Sequence, residues 1–408
     1  MISVKNKIVK AFTVLVPSLL MVSCSTEIAS RKVVDNFKKQ VSNQEVRMNE
    51  AELSCPLTGR DAEKTAHLYQ KYLDEQDKLN LRSQWENKLY YTGTYNMPIK
   101  VKYFGDHKNH RSLIISLHGG GSTTKEANDQ QWENQIRLYN NINDAIYIAP
   151  RAAVDAWNMW HQEHVDVILN NIIRSYILFE GVDPDKVYIT GYSAGGDGVY
   201  QLAPRLSDRL AAANMNAGHP NEVTPLGVRN VPFALFMGAN DAAYKRNDIA
   251  RQWKVSLDSL HKLDPDGYTH FVEVVPNKGH WMDHKDSLAI TWMSKYQRNT
   301  NPNRVVWTQD DVKHASSYWL ATEIEKSNAG DFADVIKDGN EFTVKECTFS
   351  SLYIQYSPST IDPKKPIVVS FNGTKTEYKP VFTLENMMRS ADLSHDISLT
   401  YMGRIKVK

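Results

Sequence analysis

From about residue 98 the chain alternates short apolar runs with amphipathic stretches of helical length. Ile99 to Phe104, Leu113 to Leu117, Ala145 to Ile148, Val187 to Thr190, Phe233 to Met237 and Phe271 to Val275 predict strands, with a further strand candidate in Leu210 to Met215. Between them Glu126 to Tyr139, Val165 to Phe179, Val199 to Leu210, Asp248 to Leu263 and Leu288 to Arg298 predict helices. Such alternation predicts an α/β fold, a mostly parallel doubly wound sheet with helices on both faces. Ligands bind such a sheet beyond the carboxyl ends of its strands. The flanks are patterned differently. Residues 24–60 are polar and weakly periodic, which predicts a tether without fixed structure. Ala66, Tyr69, Tyr72 and Leu73 share one face and predict a helical segment within 61–94. The α/β body is expected over 95–299. Beyond Asn301-Pro302-Asn303 the apolar residues alternate (Phe342, Val344; Leu352, Ile354; Ile367, Val369, Phe371), which predicts a small C-terminal β-sandwich-like domain over 300–408. A hairpin turn is expected at Asn372-Gly373, another between strands at Met402-Gly403, and a lead-in segment over Val305 to Ala321.

At the start, Lys5, Lys7 and Lys10 precede an apolar stretch from Ala11 to Val22, too short for an ordinary membrane-spanning helix. Leu20-Met21-Val22-Ser23-Cys24 resembles a bacterial lipobox, with Met21 where a leucine is usual. A signal peptide over 1–23, lipidation of Cys24, and a membrane partner through that lipid are the expectation. The protein would then sit in the cell envelope, periplasmic or surface-exposed. Composition narrows the remainder. The length of 408 residues suits two or three folding units, and 23% charged with 41% hydrophobic residues is ordinary globular balance. A net charge of +1 gives no electrostatic basis for nucleic-acid binding. Three cysteines without a CxxC exclude a disulfide scaffold and a zinc ribbon, and Cys55 and Cys347 are best taken as unrelated thiols. The run Asp310, Asp311, Lys313 predicts a solvated face.

The chemistry lies in strand-to-helix loops. After Val187 to Thr190 the chain reads Gly191-Tyr192-Ser193-Ala194-Gly195-Gly196, a GxSxG sequence in which the glycines relieve a sharp turn and the serine is displayed ahead of a helix. After Leu113 to Leu117 it reads His118-Gly119-Gly120-Gly121. Glycines there let backbone N–H groups approach a substrate carbonyl, so Gly119, Gly120 and Ala194 form the expected oxyanion hole. His118 is expected to stabilise the loop. A serine hydroxyl needs a neighbouring imidazole to take its proton, and the imidazole needs a carboxylate. Asp241 follows the strand ending at Met237, and His280 follows the strand ending at Val275. His219 is a competing base or pocket residue, and Asp264 and Asp266 are competing acids in a DPDG turn. His161 and His164 lack the HExxH spacing of a zinc helix, and neither metal nor cofactor is expected.

The stretch from Tyr95 to Tyr296 resembles the α/β-hydrolase fold, whose triad runs in the order serine, acid, histidine. HGGG, GYSAGG, GANDAA and GHWM are similar to motifs of secreted esterases related to feruloyl esterases and poly(3-hydroxybutyrate) depolymerases. The catalytic domain of prolyl-oligopeptidase-like peptidases is similar too. The resemblance implies Ser193 as nucleophile, Asp241 as acid and His280 as base. It also implies a serine esterase acting on carbohydrate-linked, aryl or polyester-type substrates. A serine peptidase and a catalytically inactive surface-binding protein are the alternatives. Only Asn221 to Asn230 separate His219-Pro220 from the next strand, which leaves no room for a large lid and favours an open cleft. Trp157, Trp160, Tyr192, His219 and Trp281 are the candidate substrate-binding residues; the tryptophans either stack on a sugar or phenolic ring or pack beneath neighbouring elements.

Overall fold

The computed structural model describes residues 16–106 and 110–408, with side chains from residue 27 onward. The first part of the expected signal peptide and the Cys24 sulfur therefore lie outside the described residues. No described helix is long and apolar enough to cross a membrane. The chain forms two compact units: one of residues up to Leu73 with Gln355–Pro366 and Lys379–Arg404, the other of Asp74–Ile354, Ile367–Tyr378 and Ile405–Lys408.

The first unit corrects the expected tether. Helix α1 (Val16–Ser42) runs through it, and α2 (Glu50–Leu53) and the start of α3 (Gly59–Asn87) follow. Val33, Phe37 and Val41 recur every four residues and are buried, so α1 has an apolar stripe, narrow enough to be masked by the charges around it. Phe37 packs on Tyr69 with ring centroids 5.9 Å apart. Ser30 Oγ donates to Asp61 (2.7 Å), and Tyr69 Oη donates to Asp392 (2.7 Å) in a later helix, Leu384–Ser394.

The second unit is built on eight strands: β1 (Leu89–Thr92), β2 (Tyr95–Phe104), β3 (Arg111–Leu117), β4 (Ala145–Pro150), β5 (Val182–Tyr192), β6 (Ala212–Asn216), β7 (Phe233–Gly238) and β8 (His270–Val275). They lie in the order β1-β2-β4-β3-β5-β6-β7-β8. β1 and β2 are antiparallel to their neighbours, and β4 through β8 run parallel. The central strands are apolar on both faces because helices cover both. Leu113, Ile115 and Leu117 of β3 join one core with α5 (Glu163–Glu180), α6 (Ala194–Arg205) and α7 (Arg246–Leu263), whereas Ile114 joins another with α8 (Leu288–Met293). α4 (Lys125–Gln135) precedes β4 and ends before the predicted Tyr139, and α8 stops short of the predicted Arg298. In α5, Val165, Ile168, Leu169, Ile172, Ile173 and Tyr176 are buried at helical spacing, and Gly181 ends the helix at φ 65°. Because β3 connects outward to β4 while β5 lies on its other side, the sheet changes winding direction between β3 and β5. The crevice beyond their carboxyl ends is the geometric ligand position of this architecture.

After residue 300 the chain forms small β-sheets whose strands belong to this unit except for Gln355-Tyr356 and Gly403-Arg404. β9 (Arg304–Thr308), β12 (Phe332–Asp338), β13 (Glu341–Cys347), β15 (Ile367–Phe371) and β16 (Thr374–Tyr378) form one sheet; β10 (Ser316–Ser317), β11 (Leu320–Ala321), β14 (Tyr353–Tyr356) and β17 (Gly403–Lys406) belong to another. Trp319, between β10 and β11, meets Phe342 of β13 edge-on at 5.4 Å. The Asn372-Gly373 hairpin is present. The lead-in segment is not: β9 is an edge strand of the first sheet, pairing with β12. Met402-Gly403 does not divide two strands either, since a short 3-10 turn, Ile397–Leu399, precedes it. Asp310 is likewise not on a solvated face. Arg205 of α6, its side chain 3% exposed, donates to Asp310 (2.7 Å), Asp311 (3.1 Å), Asp166 (3.4 Å) and the His161 carbonyl (2.6 Å). His314 closes the cluster on Asp166 at 2.9 Å. Cys55 and Cys347 are free thiols.

Candidate active site

Ser193 lies at the turn from β5 into α6 with φ 58° and ψ −122°, a conformation an L-residue adopts only under constraint. The constraint is close packing. A side chain on Gly191 would strike the Gly195 carbonyl, and one on Gly195 would strike the Leu117 carbonyl, so both glycines are required by space. The Ser193 N–H donates to the Asn216 carbonyl (2.9 Å) at the end of β6. Asn216 Nδ2 in turn donates to the Gly191 carbonyl (3.1 Å) and to Tyr139 Oη (3.0 Å), and Tyr139 Oη donates to the buried Asp286 (2.5 Å). This polar chain behind the elbow was readable only as two asparagines, 214 and 216, interrupting an apolar strand.

The three residues proposed from chain order come together. His280 Nε2 is 2.9 Å from Ser193 Oγ, and His280 Nδ1 is 2.7 Å from Asp241 Oδ2. Burial would raise the Asp241 carboxyl, but the hydrogen bond from His280 and the Arg246 guanidinium outweigh it and hold it below the usual carboxylate range. Arg246 Nη1 donates to Asp241 Oδ1 (3.1 Å), a contact the sequence did not announce. Nor did it announce Asp197, one turn into α6, which accepts the His219 N–H (2.6 Å) and is pushed up to about 6 by burial.

Gly119 lies against the serine, where an added Cβ would stand 3.1 Å from Ser193 Cβ and 3.7 Å from its Oγ. The Gly120 N–H, at φ 110°, has no hydrogen-bond partner among the described residues. The Ala194 N–H, in the first turn of α6, has no intrahelical acceptor. His118 shapes this loop through one defined tautomer. The Ala152 N–H donates to its Nε2 (3.0 Å), so the proton is on Nδ1, which donates to the Gly119 carbonyl (2.6 Å). Burial lowers this imidazole to about 4, keeping it neutral.

The substrate-side candidates divide. Trp157 is 58% exposed beside Gly121, and Trp281 is 48% exposed next to His280; both remain on the rim. Trp160 is fully buried, its Nε1–H given to the His118 carbonyl (2.9 Å), so it packs under the loop. Tyr192 is also buried and faces the base loop: its hydroxyl donates to the His280 carbonyl (2.6 Å) and accepts the Met282 N–H (3.2 Å). His219 is half-buried, with Nδ1 accepting the Asn221 N–H (2.9 Å), and no bond joins it to Ser193. Asp264 pairs with Arg229 (2.7 Å) at the end of α7, away from His280. His164 stacks on Tyr95 at 3.8 Å and His161 is buried beside Arg205; among the described residues no cluster suits a metal ion. The connection between β6 and β7 contains only the short turn Pro225–Val228.

No family model and no curated protein matches the chain. Among solved structures, a thermostable esterase is similar at 18% identity over 52% of this chain and 64% of its own, less than two thirds, with a TM-score of 0.41. A ferulic acid esterase is similar at 13% identity over 51% and 96%, with a TM-score of 0.38. The fluorophosphonate-binding serine hydrolase FphF of Staphylococcus aureus, solved with substrate bound, is similar at 16% identity over 50% and 96%, also with a TM-score of 0.38. Strand order, winding reversal and connectivity stand without these likenesses, and they make the architecture of residues 89–293 that of an α/β-hydrolase.

Proposed function

We propose that this protein is a serine hydrolase that cleaves carboxylic esters through an acyl-enzyme. The observation that carries the proposal is the unbroken chain from Ser193 Oγ to His280 Nε2 (2.9 Å) and from His280 Nδ1 to Asp241 Oδ2 (2.7 Å). Ser193 attacks the ester carbonyl as His280 takes its proton, Asp241 orients the ring and stabilises the imidazolium, and the Gly120 and Ala194 N–H groups receive the oxyanion, with Gly119 lining the loop. His280 then protonates the departing alcohol. Water, deprotonated by the same histidine, releases the acid. The exposed faces of Trp157 and Trp281 suit substrates with sugar or phenolic rings, and the short β6–β7 connection suits bulky ones. The lipobox supports attachment at Cys24 and a place in the cell envelope, to be checked by fatty-acid labelling of the wild type against Cys24→Ala.

The test is hydrolysis of short aryl esters, feruloyl esters and aminoacyl amides. Ester turnover that drops at least about 10³-fold in Ser193→Ala is the expected outcome. Amide turnover without ester turnover would favour a peptidase, and no turnover at all would leave a binding protein.

A further inference from the structure

The catalytic carboxylate has two oxygens, and proton relay uses one. Oδ2 accepts from His280, while Oδ1 accepts from Arg246 Nη1 at 3.1 Å. We propose that Arg246 is a positioning residue for the catalytic acid, holding the Asp241 carboxylate in line with the imidazole and tuning the pH at which Ser193 becomes nucleophilic. The inference rests on the Ser193–His280–Asp241 assignment above.

Three observations carry it. First, the turn that delivers Arg246 is strained. Tyr244 at φ 54° and Lys245 at φ 58° are consecutive non-glycine residues in the left-handed region, within five residues of the acid. Such a conformation persists only where the surroundings impose it. The imposing contacts converge on Asp241, whose carbonyl accepts the Asn247 N–H (3.1 Å), while Asn247 Nδ2 donates to the Ala239 carbonyl (2.8 Å). Second, Arg246 is committed to this carboxylate. Its side chain is 14% exposed, and its Nε is buried with no hydrogen-bond partner among the described residues, so the guanidinium forgoes hydration to reach Asp241. Third, Tyr244 is 78% exposed, yet its ring stands over the guanidinium at 5.0 Å. An aromatic ring held in solvent over a cation screens that cation from water and limits its motion.

The electrostatic consequence has a definite sign. The guanidinium offsets part of the carboxylate charge that stabilises the imidazolium, so removing it favours protonated His280 and moves the acid limb of reactivity to higher pH. Asp197 of α6 is in electrostatic reach of Arg246, His219 and His280, and Lys278, Asp283 and His284 lie on the base loop with His280. Lys245, Asp248 and Arg251 lie on Arg246's own segment. Lys278 pairs with Asp283, and Arg251 with Asp248. Among the described residues the Asp241 carboxylate accepts side-chain hydrogen bonds from His280 and Arg246.

The experiment measures the second-order rate of Ser193 labelling by a fluorophosphonate across pH, with peptide mapping, in the full chain; this readout needs no knowledge of the natural ester. In Arg246→Gln the midpoint of the acid limb should rise by about 0.5–1 pH unit and the plateau rate fall about tenfold. Arg246→Lys, which keeps the charge and loses the planar fork, should keep the midpoint while lowering the plateau. Tyr244→Ala, at an exposed position, should move the midpoint the same way by less, and it serves as the test if Arg246→Gln does not fold. A folded Arg246→Gln with an unmoved midpoint overturns the inference alone, as does an unmoved midpoint in Tyr244→Ala when Arg246→Gln cannot be made. A wild-type protein that takes no label at Ser193 overturns the ester-hydrolase assignment and this inference with it.

Discussion

His118 shows how a single buried side chain ties the acid sensitivity of the fold to the site. Its neutral form is required as acceptor for the Ala152 N–H; the bond it donates to the Gly119 carbonyl favours the protonated ring, but burial outweighs that and lowers its pKa from 6.5 to about 4. Between those values the unfolded chain binds more protons than the folded one. The stabilisation is therefore complete above about pH 6.5 and is lost as pH falls through about 4. The difference corresponds to about 3 kcal/mol. His118→Gln, which retains a donor and an acceptor without a titrating ring, should flatten the stability profile between pH 4 and 6.5 in urea titrations; an unchanged slope would assign that sensitivity elsewhere. The motif HGGG was legible in the sequence as a loop-shaping element because glycine and histidine types alone suggest it. The tautomer was not, since it depends on a partner 34 residues away.

At the scale of elements, the site is a meeting of loops from β3, β5, β7 and β8, and Tyr192 fastens two of them. Its hydroxyl reaches both sides of the base loop, to the His280 carbonyl and the Met282 N–H. Tyr192→Phe leaves these backbone groups without that partner, which costs about 1–3 kcal/mol. The expected outcome is a roughly tenfold lower kcat with KM for a short aryl ester within about twofold of wild type. A KM change alone would return Tyr192 to the substrate pocket, where the sequence had placed it. The direction of such a side chain is not legible in sequence for a physical reason. Strands and their loops follow from local patterning, so β3, β5, β7 and β8 and the order Ser193, Asp241, His280 are legible, but the direction an aromatic side chain takes depends on which element packs beside it. Trp160 and Tyr192 turned inward, Trp157 and Trp281 outward, from equally motif-adjacent positions.

At the scale of the molecule, β9 to β13 and the acidic turn at Asp310 belong to the same compact unit as the α/β body, and Arg205 of α6 holds that turn through charge. Asp310→Ala should lower unfolding stability by about 2–3 kcal/mol, because it leaves the buried Arg205 with weaker compensation; a loss below about 0.5 kcal/mol in denaturant titration would show that the cluster is not a fastening. None of this was visible in the acidic run itself, because a pair of aspartates looks alike whether it meets water or an arginine distant in sequence. The same holds for α1, where three buried apolar residues among charges carry little signal until a partner surface exists. The arginine cluster also sets an order of events during synthesis. Arg205 emerges from the ribosome 105 residues ahead of Asp310 and 39 behind Asp166, so until the acidic turn is made Asp166 is the one of its three carboxylate partners already present. The full set of contacts on the guanidinium therefore needs the late-made acidic turn, which ties the helix that follows Ser193 to translation of the last quarter of the message.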